Sequence, residues 1–203
     1  KIFLVSVATL NAGLGKPDPF KSVGIGGFIM HARIGLKTEY LGEKWFSCTK
    51  ACLDHAKKLN MNAWIYDENG WPSGFVGGKL LENEDFRARF LEYEIKDSFD
   101  DNAFAVYKET ADGFVRIDAP EKDILAYHTV YLKISPANTD ILNPAVVDAF
   151  ISETHEKYYE RFADSFGKEL VGFFTDEPQF TPKSALSFAG EEKDVFLPWT
   201  YEL

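Results

Sequence analysis

Two carboxylates stand side by side in "GFFTDEPQF" (172–180), where Asp176 and Glu177 follow an apolar run and Pro178 stops the chain. A buried strand that ends this way delivers both charges to its own C-terminal tip. The pattern recurs. "NAWIY" (62–66) runs into Asp67, Glu68 and Asn69 and then "GWPSG", and "GGFIM" (26–30) runs into His31 and Arg33. The aromatic residues Tyr66, Trp71 and Trp199 accompany these ends. Glycosidic cleavage needs one carboxylic acid to protonate the leaving oxygen, and a second carboxylate to activate water or attack the anomeric carbon. Apolar sugar faces pack on tryptophan and tyrosine, while arginine and histidine hydrogen-bond hydroxyls. The chain has four histidines, no phosphate-binding glycine loop and no nucleophile elbow, which further favours sugar chemistry. Plainer readings stand beside this one. "DEP" also fits a solvated turn, "DENGWPSG" a turn rich in Asn-Gly and Pro, and "MHAR" a structural ion pair.

The elements that must position these groups follow from periodicity. Apolar residues at helical spacing predict a helix over 44–59, with Trp45, Thr49, Cys52, Leu53, Ala56 and Leu59 on one face. A second helix starts at Asn143-Pro144, a cap residue followed by proline at the first helical position. It is expected to turn Val147, Phe150, Ile151, Tyr158 and Phe162 inward and to close near Gly167. Four apolar runs read as buried strands: 25–30, 62–66, 129–134 and 170–175, the third leading to Asp140. Helices alternating with such strands imply a parallel sheet covered on both faces, or a barrel, whose C-terminal strand ends assemble the site. Residues 79–128 break the rhythm with charge clusters and alternating stretches, and read as a small β-rich insertion.

Composition narrows the partners. The 203 residues are 45% hydrophobic and 15% aromatic, as expected of a globular chain, and carry a formal charge of −10. That balance argues against nucleic acid and anionic membrane as partners. Cys48 and Cys52 lie four apart on the first helix, which is packing rather than a zinc pattern. The opening "KIFLVSVATLNAG" fits a short signal peptide or a buried strand, so a cytoplasmic and a secreted or periplasmic location both stay open. No other segment reaches the ~20 apolar residues of a membrane helix.

Four stretches, taken in order, closely resemble a group of bacterial glycoside hydrolases related to the α-L-rhamnosidases: "GIGGFIMHARIGLKTEYLGEKWF" (24–46), "AWIYDENGWPSGFVGG" (63–78), "DILNPAVVDAFISETHEKYYERF" (140–162) and "GFFTDEPQF" (172–180). The resemblance implies an α/β fold: a TIM-barrel-type (β/α)₈ catalytic domain over residues 1–203, interrupted by the insertion at 79–128. A complete barrel takes about 250 residues, so only part of one is expected in this chain. It further implies cleavage of an α-L-rhamnoside or related sugar, with Glu177 as the catalytic acid. Asp67 and Glu68 become substrate-binding or partner carboxylates, Asp176 joins them as a candidate base, and His31 and Arg33 become sugar-binding groups. The resemblance names no certain cofactor and leaves a calcium ion open. Two other classes remain: a non-catalytic sugar-binding domain, and a metal-dependent hydrolase with Asp67, Glu68, Asp176 and His31 as ligands.

Overall fold

The computed structural model describes residues 4–7, 19–22, 24–33, 35–180, 183–184 and 194–201, with side chains from residue 21 onward. Parts of the apolar opening, of the 15–20 loop and of the tail therefore lie outside the described residues. In chain order the regular elements are β1 (Leu4–Val7), α1 (Pro19–Ser22), β2 (Gly27–Ala32), α2 (Glu43–Leu59), β3 (Asn62–Asn69), β4 (Arg87–Lys96), β5 (Ala105–Thr110), β6 (Gly113–Ile117), β7 (Tyr127–Thr139), α3 (Pro144–Ile151), α4 (Lys157–Phe162), β8 (Leu170–Phe174) and β9 (Val195–Trp199). They fall into two compact units, one of Lys1–Glu82 with Ala145–Gln179, the other of Asn83–Pro144 with Phe180–Leu203.

The first unit carries a parallel sheet in the order β1-β2-β3-β8. Helix α2 connects β2 to β3. It has Glu43 in its first turn and Lys57 and Lys58 in its last, complementing the helix dipole, and Asn60 closes it in the left-handed region. Trp45, Phe46, Thr49, Leu53 and Ala56 are buried along its inner face. They meet Met30, Ala63, Ile65, Tyr158, Phe162 and Leu170 in one core. The Trp45 indole N–H donates to the Tyr158 hydroxyl at 2.6 Å, so the two polar atoms in that core satisfy one another. Strands β2 and β3 approach so closely that a Cβ on Gly27 would lie 2.6 Å from the Asn62 carbonyl oxygen. Cys48 and Cys52 are free thiols, and burial, with Cys48 adding, pushes the Cys52 thiol up to about 11.

Between α3 and α4 the helix widens into a π-turn over Ser152–Glu156. The buried residues are Val146, Phe150, Thr154, Tyr158 and Phe162, each four after the last. In a regular α-helix a four-residue step drifts around the axis, because the period is 3.6. The wider turn takes up that drift. Val147 and Ile151, expected inward, are each 38% exposed, because α3 turns Val146 and Phe150 to the core instead.

The second unit is an antiparallel sheet in the order β6-β5-β7-β4-β9. Its own small core is Val106, Ile117 and Tyr127, packed by Phe99, Ala103 and Ile124. The run at 129–134 belongs here, within β7, pairing antiparallel with β4 and β5.

These two sheets correct the expected fold class. The TIM-barrel-type (β/α) domain is overturned: a four-stranded parallel sheet and a five-stranded antiparallel sheet are present among the described residues, and neither strand order returns on itself. An apolar run specifies burial but not direction. Strands joined by short connections pair antiparallel at small loop-closure cost, whereas a parallel neighbour needs a crossover.

Candidate functional site at the strand tips

Register decides which tip residues meet. Met30 pairs with Ile65 and Tyr66 with Phe174. Successive side chains alternate faces along the regular part of β3, so Ala63 and Ile65 share its helix-covered face while Trp64 and Tyr66 take the other; beyond them the register with β2 shifts, between Met30 and Ala32. On that other face His31 and Tyr66 stack with ring centroids 3.3 Å apart, and Phe174 stacks on Tyr66 at 5.8 Å.

Asp67 and Glu68 are buried completely, with no exposed surface. The Asp67 carboxylate accepts from Ser73 Oγ at 2.7 Å, His155 Nε2 at 2.8 Å and Thr175 Oγ1 at 2.6 Å. Glu68 accepts five backbone N–H groups: Asn69 at 2.7 Å, Gly74 at 3.1 Å, Phe75 at 2.9 Å, Val76 at 2.8 Å and Gly77 at 2.5 Å. The loop after β3 thus wraps its amides around the strand's own carboxylate, forming an anion nest occupied from within. Holding Val76 at φ 55° and Gly77 at φ 62° is part of that wrapping. For a β-branched residue this conformation costs about 1–3 kcal/mol, a strain that the charge-assisted hydrogen bonds to Glu68 offset.

The other expected residues divide clearly. Asp176 is half-buried, and its Oδ2 accepts the Tyr66 hydroxyl at 2.8 Å. Its backbone is bracketed by Ser73, whose N–H donates to the Asp176 carbonyl at 2.9 Å and whose Oγ accepts the Asp176 N–H at 2.9 Å. Glu177 is exposed, with its backbone at φ 42°. His31 is buried and donates Nε2–H to the Gly70 carbonyl at 3.2 Å. Arg33 is exposed, and Trp71 presents 52% of its surface. Trp199 stands in the antiparallel unit, packed against Phe104 and Tyr201.

Electrostatics tie these groups together. Burial lowers His31 from its ordinary 6.5; Arg33 pushes the same way, while the Gly70 hydrogen bond and Asp176 oppose it. Burial raises Tyr66, and its hydrogen bond to Asp176 raises it further, so the phenol stays protonated as a donor. The accessible chemistry at the tips is therefore two carboxylates, Asp176 and Glu177, with a guanidinium and an indole, backed by the buried His31 imidazole and Tyr66 phenol. Ser73, Thr175 and His155 were not singled out in the sequence. His155 was legible in principle, since it follows Ile151 and precedes Tyr158 at helical spacing.

Calcium does not fit the carboxylates expected to bind it. The oxygens of Asp67 and Glu68 already face N–H and O–H donors, whose positive ends oppose a cation. No group of three or more His, Cys, Asp or Glu side chains placed to hold a metal is present among the described residues. No known protein family, characterised protein or solved structure matches the chain. What the tips do must be read from their own chemistry.

Replacing Glu68 by Gln turns an amide N–H₂ toward backbone donors. It is expected to cost about 3–5 kcal/mol of stability, the scale for removing a partner from a buried charged network. Urea denaturation checks it, and a midpoint equal to the parent's would show that the nest does not hold the loop. His31 gives a pH signature. Its pKa in the folded chain lies below its unfolded value, so its contribution to stability is complete above about pH 6.5 and is lost as pH falls through the lowered folded value. The urea midpoint of the parent is expected to fall more steeply below that pH than the midpoint of His31→Gln. Parallel pH profiles would contradict this.

Proposed function

We propose that this chain is a glycoside hydrolase that works at the tips of β2, β3 and β8. One observation carries the reading: of the four carboxylates gathered at these tips, Asp67 and Glu68 are sealed into the scaffold, while Asp176 is half-buried and Glu177 exposed. Two accessible acids beside donors and an aromatic face form the donor set that acid–base cleavage of a sugar requires.

In this reading Glu177 is the general acid. Its proton passes to the glycosidic oxygen as the bond from that oxygen to the anomeric carbon breaks. Asp176 is the second carboxylate and takes the proton of the water that adds to the anomeric carbon, so both products are neutral alcohols. Tyr66 orients Asp176 by donating to it. Trp71 offers its indole to an apolar sugar face and Arg33 sits where hydroxyls can be bound, while His31, expected to bind sugar, stacks under Tyr66 and supports the site from within. Asp67 and Glu68, expected to act on substrate, instead build the loop that carries Trp71 and Ser73. The resemblance to rhamnosidase-related enzymes makes α-L-rhamnosides the first substrates to examine.

The test is hydrolysis of a panel of nitrophenyl glycosides and a natural α-L-rhamnosyl disaccharide by the parent and by Glu177→Gln. Cleavage by the parent, with a loss of at least ~100-fold in the variant on the disaccharide, is expected for a general acid. The disaccharide matters because activated nitrophenolate leaves with little protonation. Equal rates for parent and variant on every substrate would remove Glu177 from the role. A parent that binds sugar without cleaving any would make the chain a binding domain.

A further inference from the structure

We propose that His155 is a positioning residue, which sets the acidic tip Asp176–Glu177 by holding Asp67 from behind the sheet. The inference rests on the glycosidase reading only for its consequence in catalysis. Its structural content is independent of that reading.

His155 lies within the π-turn, one residue after the buried Thr154. Its ring is fixed on two sides: it stacks on Phe173 with centroids 4.2 Å apart, and Phe150 meets it edge-on at 5.6 Å. In that orientation Nε2 points at Asp67 Oδ2, 2.8 Å away. An ionised carboxylate only accepts, so Nε2 carries the proton whether the ring is neutral or charged. The same Oδ2 also accepts the Thr175 hydroxyl, and Oδ1 accepts the Ser73 hydroxyl. Thr175 is the residue before Asp176, and Ser73 brackets the Asp176 backbone from both sides. Asp67 is therefore the node through which a helix side chain, a loop hydroxyl and the end of β8 are aligned.

Removing the His155 donor leaves a fully buried carboxylate short of one partner. Such a group rotates or admits water to recover it, and either response pulls on Ser73 and Thr175. The tip then loses its fixed geometry although its own residues are unchanged. A misplacement of this kind lowers turnover more than it lowers ground-state binding. Among the described residues His155 makes no hydrogen bond into the core under α2 and meets it through Phe173, a contact that an apolar Leu keeps, so the backbone there is not expected to feel the change.

The experiment compares amide hydrogen exchange, read by NMR, in the parent, His155→Leu and His155→Gln. Gln carries an N–H₂ donor at comparable reach, and Leu carries none. In His155→Leu the Ser73 and Asp176 amides are expected to exchange at least roughly tenfold faster, with Trp64 and Ile65 unchanged. His155→Gln is expected to restore them. Parent-like protection of Ser73 and Asp176 in His155→Leu overturns the proposal, as does an equal loss at Trp64 and Ile65, which marks a merely structural role. Should His155→Leu fail to fold, His155→Asn replaces it, because Asn is too short to reach Asp67. Equal protection of Asp176 in the Asn and Gln variants then overturns the proposal, and faster exchange in Asn alone supports it. On any glycoside the parent cleaves, the account further requires a lower kcat with little change in KM for Leu, recovered by Gln. A parent that cleaves none defeats the glycosidase reading and leaves the exchange result to decide this one.

Discussion

Two consecutive carboxylates buried at the end of one strand set the terms for everything around them. An ionised carboxylate without partners in a protein interior is prohibitively costly, and Asp67 and Glu68 are each met by a separate set of donors. Glu68 is met by the backbone of its own following loop. Asp67 is met by side chains from that loop, from the π-turn and from the end of β8. The loop conformation and the position of the acidic tip are each tied to one of these two charges, and the π-turn supplies one donor to Asp67.

The parallel sheet converts that local constraint into a site. Neighbouring parallel strands present side chains on a common face in register, which aligns His31, Tyr66 and Phe174 into a row. Tyr66 links this row to Asp176, and Ser73 links Asp176 back to Asp67. The accessible groups at the tips are thus backed by buried ones, an arrangement that fixes them without relying on loop stiffness alone.

Much of this was legible in the sequence. The face of α2 emerged from spacing alone because its stripe is long and its ends carry matching charges. The runs that became β2, β3 and β8 were bounded by polar tips. Two things were not legible. The run at 129–134 has the composition of a buried strand in either direction, and pairing with the nearby β4 and β5 decided that it is antiparallel. The roles of Asp67 and Glu68 were also hidden, because "YDENGWPSG" names the carboxylates but not the return of the 74–77 amides onto Glu68. The inner face of the second helix was also misjudged: Val146 and Phe150 lead it, and the π-turn at Ser152–Glu156 keeps the following four-residue steps on that face, which a uniform 3.6-residue period cannot show.

The central claim is that the solvent-facing tips of β2, β3 and β8 form the sugar site, with Asp67 and Glu68 as its scaffold. Its most direct test is an ¹H–¹⁵N NMR titration of the chain with methyl α-L-rhamnoside and its stereoisomers. The account predicts that the amides of Arg33, Gly70, Trp71, Asp176 and Glu177 shift together and saturate with one affinity. Shifts centred on the hollow lined by Tyr159 and Phe166, or on the one lined by Lys108 and Leu125, would contradict it. So would the absence of any saturable shift.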